Sequence, residues 1–440
     1  MNCRRILWAA HHPVQAFGKR RVVAYKLLSR ILSEDRYARW RGYGSPADCE
    51  RQLAEILGPD SNPVFVFPPP SVAWGYLFQR PQQLARALVR FGYTVLYAAD
   101  PGFLHPPDNQ VRGVCRLSDG PILFADGRRG RMISSLKRPA ICWQYWPHQS
   151  GFRQYLPSHS ALIYDCLDDL NVFNQYPSIR RDHAETMSKA DLVLASSDLL
   201  LKTIRKNRPD AIAVPNAVTY EDFANPPPRR FIELDDLRRR SKVIVGYYGA
   251  LAEWIDWDLL LEVSAARRDW TFLLVGDVWM HLQGCQRLRR EPNVHIWARQ
   301  AYERLGRLLA SFDVAIIPFR VNELTHAVSP IKLFEYMAGG KPVVATPLEE
   351  CRKFPVVRLG ASPKAFIRQI EWSLGPGQSP EHRARLQSCA AENTWLHRAT
   401  AVLQALVEKS ICQPLPERFR SAAVRSLDVR LSEPAPERAA

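Results

Sequence analysis

The chain has no C-x-x-C pair, and none of its nine cysteines shows metal-type spacing. They are scattered among apolar runs, which argues against a disulfide-stapled scaffold or a zinc ribbon and reads as reduced core thiols in the cytoplasm. No apolar run approaches the roughly 20 residues that cross a bilayer. The N-terminus has no signal-peptide core ahead of a small-residue cleavage site. The expected location is therefore cytoplasmic, with at most a peripheral place on the inner membrane face. Acidic residues are scarce, 44 Asp and Glu against 60 Lys and Arg, which leaves a net charge of +16. That excess favours anionic partners: nucleic acid, an anionic membrane face or phosphorylated substrates. No repeat of solenoid period is visible. What remains is ordinary for a globular protein, with 46% hydrophobic and 24% charged residues, and 440 residues are long enough for two domains.

Residues 1–60 form a basic arm. In Gly18–Ser33, GKRRVVAYKLLSRILS, Val23, Leu27 and Ile31 share one helical face, with Lys19, Lys26 and Arg30 towards the other. Two readings stand: an interfacial helix on an anionic membrane, or a helix packed on the domain with a solvated basic face. Nucleic acid is not expected, because no binding motif accompanies the charge. Residues 61–238 open as strand, loop, helix, strand: PVFVFP, a helix over about 80–91, then TVLYAAD. This is the start of a doubly wound domain. Strands over 140–145 and 161–165 follow, and the second runs into Asp168-Asp169. Ligands of open α/β sheets lie outside the carboxyl ends of the strands. Asp168 and Asp169 are thus candidates to orient or deprotonate an acceptor hydroxyl, or else to cap the next helix.

Residues 225–241, NPPPRRFIELDDLRRRS, have linker composition. A second doubly wound start follows at Val243, where Gly246 and Gly249 let backbone approach a phosphate. Residues 239–390 are expected to form a six-strand Rossmann-like domain. Its signature is Ser329–Thr346, SPIKLFEYMAGGKPVVAT. Ser329 reads as N-cap and Pro330 as the first helical residue, and Gly339-Gly340 closes the helix. Lys332 sits in the first turn, where free N–H groups and the helix dipole attract anions. Glu335, one turn on, can accept hydrogen bonds from a ribose; the alternative is a solvated i,i+3 pair with Lys332. Residues 391–412 read as a closing helix and 413–440 as a disordered tail.

This stretch resembles the donor-binding segment of GT-B glycosyltransferases, in the large retaining family that uses nucleotide sugars. Trp74 to Leu84, W-x5-R-P-Q-Q-L, resembles the opening of bacterial cell-surface-polysaccharide glycosyltransferases of that family. The resemblance implies α/β, GT-B architecture: two Rossmann-like doubly wound domains facing across a cleft, acceptor on the first and nucleotide sugar on the second. It implies that Glu335 holds the ribose, that Arg299 to Tyr302 lies by the base, and that Arg320 to Val328, with Thr325, lines the sugar pocket. It also implies that the closing helix crosses back onto the first domain. Two departures mark this chain. The family's first Glu falls at Ala327, and the turn that carries its phosphate-binding Arg and Lys, here Ala250 to Asp256, has no basic residue. Lys332 and Arg320 are expected to supply that charge.

The expected activity is transfer of a sugar from a nucleotide-diphosphate sugar to a glycan or lipid-linked glycan, in bacterial surface polysaccharide synthesis. No cofactor and no metal are expected, since protein groups neutralise the departing diphosphate in GT-B enzymes. Lys332, Asp168 and Asp169 are the catalytic candidates; Glu335, Ser329, Pro330, Gly246, Gly249, Arg320, Arg299 and Thr325 are the binding candidates. A sugar-nucleotide epimerase of the same fold and a non-catalytic basic adaptor are the alternatives.

Overall fold

A computed structural model describes residues 46–57, 63–69, 74, 78–98, 113–117, 120–125, 133, 136–149, 151–173, 177–226, 231–279 and 282–414. The arm helix over residues 18–33 and the tail beyond residue 414 lie outside the described residues. The chain divides into two compact units. The first comprises residues 1–165, 176–193 and 405–414; the second comprises 166–175, 194–404 and 415–440. The boundary inside the closing helix falls between Gln404 and Ala405.

The first sheet contains β1 (Val64–Phe67), β2 (Val95–Ala98), β3 (Gly113–Arg116), β4 (Ile122–Ala125), β5 (Ala140–Gln144), β6 (Ala161–Cys166), β7 (Leu192–Ala195) and β8 (Ile212–Ala213). Their order is β3-β4-β2-β1-β5-β6-β7-β8. β1 pairs parallel with both β2 and β5, so the winding direction reverses beside it. Only a buried strand tolerates a run such as VFVF, in which all four residues are covered. Phe67 stacks on Trp143 and Tyr97, with ring centroids 5.4 and 5.7 Å away. Trp74 meets Tyr97 and Phe78 edge-on, as a packing anchor. β3 and its antiparallel pairing with β4 were not foreseen; short strands of this kind leave little periodicity to read.

The second sheet contains β9 (Ile244–Tyr248), β10 (Thr271–Val275), β11 (Val294–Trp297), β12 (Val314–Ile317), β13 (Val343–Ala345) and β14 (Arg358–Leu359). The order β11-β10-β9-β12-β13-β14 is the six-strand doubly wound arrangement, with its switch point between β9 and β12. The turns after these two strands carry Gly249 and Arg320. The segment expected to be a linker is partly a helix, Ile232–Arg240. Leu234 and Leu237 are buried along it, and its three final arginines suit the negative end of the helix dipole. The closing helix spans Trp395–Glu408. Among the described residues, no helix is long and apolar enough to cross a membrane.

Candidate functional site

The turn after β9 is built from two glycines, and only one is the expected pair's. Gly249 adopts φ +135°, a conformation that L side chains rarely take. Its N–H donates to the Val275 carbonyl (2.9 Å), and the Leu251 N–H donates to the Asp277 carbonyl (2.9 Å). The intervening Ala250 N–H makes no hydrogen bond among the described residues. Gly246 belongs elsewhere: it lies inside β9, and a Cβ there would stand 2.3 Å from the Phe312 ring. It is a packing position, not part of the turn. The second glycine is Gly276, just after β10, which packs against the turn: a Cβ there would fall 1.9 Å from the Gly249 carbonyl oxygen. Its place at the end of the strand WTFLLVG was the available signal.

The helix facing this turn spans Ile331–Ala338 and starts one residue later than expected. Pro330, in extended conformation, is its N-cap, and no side chain caps it. Ser329 instead holds a neighbouring loop: its Oγ accepts from the Asn216 N–H (3.3 Å) and its carbonyl accepts from Asn216 Nδ2 (2.6 Å). Arg398 fixes the same loop from behind by donating to the Pro215 carbonyl (3.0 Å). A partner 113 residues away leaves no local pattern by which the sequence alone would point to Asn216. The N–H groups of Ile331 and Lys332 stay unbonded among the described residues, as the start of a helix dictates. At the other end, Gly340 takes φ +63°, with Gly340 N–H on the Met337 carbonyl and Lys341 N–H on the Tyr336 carbonyl. This is the Schellman closure that Gly-Gly predicted.

Lys332 and Gly249 come together. A Cβ on Gly249 would lie 3.0 Å from Lys332 Cε and 3.4 Å from its Nζ. The ammonium sits 5.4 Å from the centre of the Tyr247 ring and 5.0 Å from that of Phe319, within cation–π range. It makes no hydrogen bond or ion pair among the described residues. Burial lowers its pKa to about 8, with the Glu335 charge working the other way. The Lys332 side chain as a whole is half-buried, whereas Glu335 is buried, and burial lifts its carboxyl to about 7, against the pull of the Tyr248 hydroxyl and Lys332. The expected alternative, a solvated surface pair, is therefore excluded. A half-buried cation beside a glycine turn and free helix amides is a place for an anion.

The remaining candidates spread around this core. The Arg320 N–H donates to the Trp254 carbonyl (2.8 Å), which ties the turn after β12 to the turn after β9. Tyr247 continues that tie, its hydroxyl donating to the Ala250 carbonyl (3.0 Å). Thr325 is buried, and its hydroxyl serves the loop: it donates to the Arg320 carbonyl (2.5 Å) and accepts from the Asn322 N–H (3.1 Å). Arg299 is paired with Asp277 at 3.3 Å. Asp168 and Asp169 follow β6. Burial, with the Asp169 charge second, raises the Asp168 carboxyl to about 6, while Asp169 Oδ1 accepts from the Asn171 N–H (2.8 Å). Asp169 is thus a local cap. No hydrogen bond or ion pair among the described residues joins either to Lys332 or Glu335. No cluster of three or more His, Cys, Asp or Glu suited to a metal occurs among the described residues.

Comparison with known proteins gives this arrangement a context. Residues 242–374, which lie within the second unit, match the family described as Glycosyl transferases group 1. The chain is 30% identical over 263 residues to TuaH of Bacillus subtilis (strain 168), named as a teichuronic acid biosynthesis glycosyltransferase. That alignment spans 54% of this chain and 65% of TuaH, just under two thirds of the relative's length. Among solved structures, Anabaena Alr3699/HepE in complex with UDP and glucose superposes with a TM-score of 0.58 at 13% identity, over 79% of this chain and all of that one. Sucrose-phosphate synthase from Thermosynechococcus elongatus gives 0.56 at 14% identity, over 79% of this chain and 98% of its own. At such identities the likeness establishes the fold, and that fold is GT-B.

Proposed function

We propose that this chain, with a group 1 glycosyl transferase domain on a GT-B fold, is a glycosyltransferase that uses a nucleoside-diphosphate sugar. The observation that carries the reading is the approach of the half-buried Lys332 side chain to the Gly249 turn, beside the unbonded amides of Ala250, Ile331 and Lys332. The diphosphate fits between them. Glu335, one helical turn further in, takes the ribose hydroxyls, and Arg320 adds charge from the turn after β12. UDP is the nucleotide we assign, because HepE superposes on this chain with UDP bound.

The chemistry is cleavage of the bond between the anomeric carbon and a phosphate oxygen, through an oxocarbenium-like transition state. Negative charge grows on the departing diphosphate, so Lys332 and the fixed amides stabilise the transition state more than the ground state. A half-buried lysine with a lowered pKa suits this task, because an arriving diphosphate restores the charge that desolvation weakens. We assign a retaining course, in which the leaving phosphate takes the acceptor proton and Asp168 only orients the acceptor hydroxyl. The acceptor is assigned as a glycan or lipid-linked glycan of a bacterial surface polysaccharide, in line with the name given to TuaH.

The test is a titration of purified full chain with UDP, followed by turnover assays with UDP-sugars and lipid-linked glycan acceptors. UDP release that requires acceptor supports the reading. Epimer formation without acceptor, or no UDP binding at all, ends it.

A further inference from the structure

The turn over residues 250–256 has no basic side chain and a single aromatic one before the helix that follows, Trp254. Its backbone is pinned on both sides. Towards β10, the Leu251 carbonyl accepts from the Trp279 N–H (3.1 Å). Towards β12, the Trp254 carbonyl accepts from the Arg320 N–H (2.8 Å), and the Asp256 N–H donates to the Pro318 carbonyl (2.8 Å). The two indoles so placed meet edge to face, with ring centroids 6.1 Å apart and planes 78° to each other. Trp254 is half-buried, whereas Trp279 is 38% exposed and Val321, next to Arg320, 47% exposed. The exits of β10, β9 and β12 thus present Trp279, Trp254 and Val321 in that order. Large apolar groups left open at the carboxyl ends of strands, beside a candidate site, call for an occupant.

Trp254 also reaches the Lys332 group. Burial raises the pKa of the Tyr247 hydroxyl, and a side-chain hydrogen bond with Trp254 works against it. The Lys332 ammonium lies 5.4 Å from the centre of the same tyrosine ring. Tyr247 and Tyr248 are consecutive on β9 and point to opposite faces of the sheet. The helix Ile331–Ala338 covers the Tyr248 face, where the Tyr336 ring meets that of Tyr248 at 5.0 Å and the Tyr248 hydroxyl acts on Glu335. Lys332 crosses the end of the strand to the Tyr247 face, which is the face of Trp254. Glu335 and Trp254 therefore flank the anion position from opposite sides. A nucleoside-diphosphate sugar with its ribose on Glu335 and its diphosphate at Lys332 sends its remaining arm, the glycosyl group, towards Trp254.

We infer that Trp254 and Trp279 form a platform on which the pyranosyl ring of the nucleotide sugar rests an apolar C–H face, so that this pair helps to select the sugar. The near-perpendicular indoles make a corner for such a ring. Their faces carry partial negative charge, which attracts C–H groups and repels phosphate oxygens. The platform rests on the donor reading above.

The experiment is calorimetric titration of the full chain with UDP, UDP-glucose, UDP-N-acetylglucosamine and UDP-glucuronic acid. The readout for each protein is its affinity for a UDP-sugar relative to that for UDP. In Trp279→Ala this ratio is expected to fall about fivefold for at least one UDP-sugar, with UDP itself within about twofold of wild type. Trp279→Phe should restore most of the loss. Trp254→Leu should repeat the effect, and the exposed Trp279 keeps the test open if that variant does not fold. An unchanged ratio for all three UDP-sugars in Trp279→Ala overturns the platform and leaves the donor reading intact. Equal weakening of UDP and the UDP-sugars, as for a base stacked on the indole, does the same. Wild-type protein that binds no UDP ends the donor reading, and the platform with it.

Discussion

Each unit sets a base close to a buried acid, and the two pairs are treated in opposite ways. In the first, Arg80 and Asp165 are 3% and 1% exposed and meet through two bonds of 2.9 Å, while the Trp143 indole donates to the same carboxylate at 3.0 Å. Both carboxylate oxygens are engaged within the fold. In the second, Lys332 and Glu335 share a helix face, yet they form no direct ion pair and Lys332 leans on aromatic rings and a glycine turn. Burial pushes the lysine down to about 8 and the glutamic acid up to about 7, so both drift towards neutrality. A buried charge that is already answered by its neighbours is architecture. One kept half-buried and unanswered is waiting for a ligand.

The sharpest way to break this contrast is to remove one partner from each pair. Asp165→Ala leaves the Arg80 guanidinium buried without its carboxylate, and should cost about 3–5 kcal/mol of stability. Chemical denaturation of the variant measures that loss; a midpoint unchanged from wild type would make Arg80–Asp165 dispensable. Lys332→Ala should behave in the reverse manner. Its fold should survive, because an uncomfortable cation has gone, while turnover falls by at least about 100-fold as for loss of a transition-state donor. Near-normal turnover removes Lys332 from the site.

The same contrast explains what could be read from the sequence. Lys332, Glu335, Gly249 and the Gly339-Gly340 closure were legible because local spacing determines them: a helix face, a first turn, a φ above zero. The doubly wound order of β9 to β14 was legible for the same reason, as strand and helix alternate. Arg80 looked like a helix start, with nothing to say that its partner lay 85 residues on. Ser329 looked like a cap, yet it is bound to Asn216 across an even longer interval. Gly246 lies inside a strand and Gly276 just past the end of one, and only the atoms opposite them, Phe312 in one case and the Gly249 carbonyl in the other, tell packing from turn. Partner choice over long range is fixed by topology, which no window of sequence contains.

Gly249→Ala probes the turn without touching a charge. An L side chain at φ +135° is strained by roughly 1–3 kcal/mol, and its Cβ would press on Lys332 Cε at 3.0 Å. UDP affinity should fall on the order of tenfold by calorimetry, with the Arg80–Asp165 region unaffected. Full affinity would mean that the turn does not face the ligand.

The mildest test uses pH alone. With a pKa near 8 in the free protein, Lys332 carries its charge at pH 7 and has lost most of it by pH 9. Its ordinary value lies near 10.5, so the unfolded chain holds that proton over a window, from about 8 to 10.5, in which the folded chain has released it. Stability of the unliganded protein should therefore rise slightly through that window. Diphosphate binding should change in the opposite sense, because the ligand selects the protonated amine and must supply the cost of recharging it. UDP affinity is expected to weaken several-fold between pH 7 and pH 9, and Lys332→Arg, charged throughout, should flatten the profile. A wild-type profile as flat as that of Lys332→Arg would show that the ammonium does not meet the diphosphate, and the second pair would then be architecture like the first.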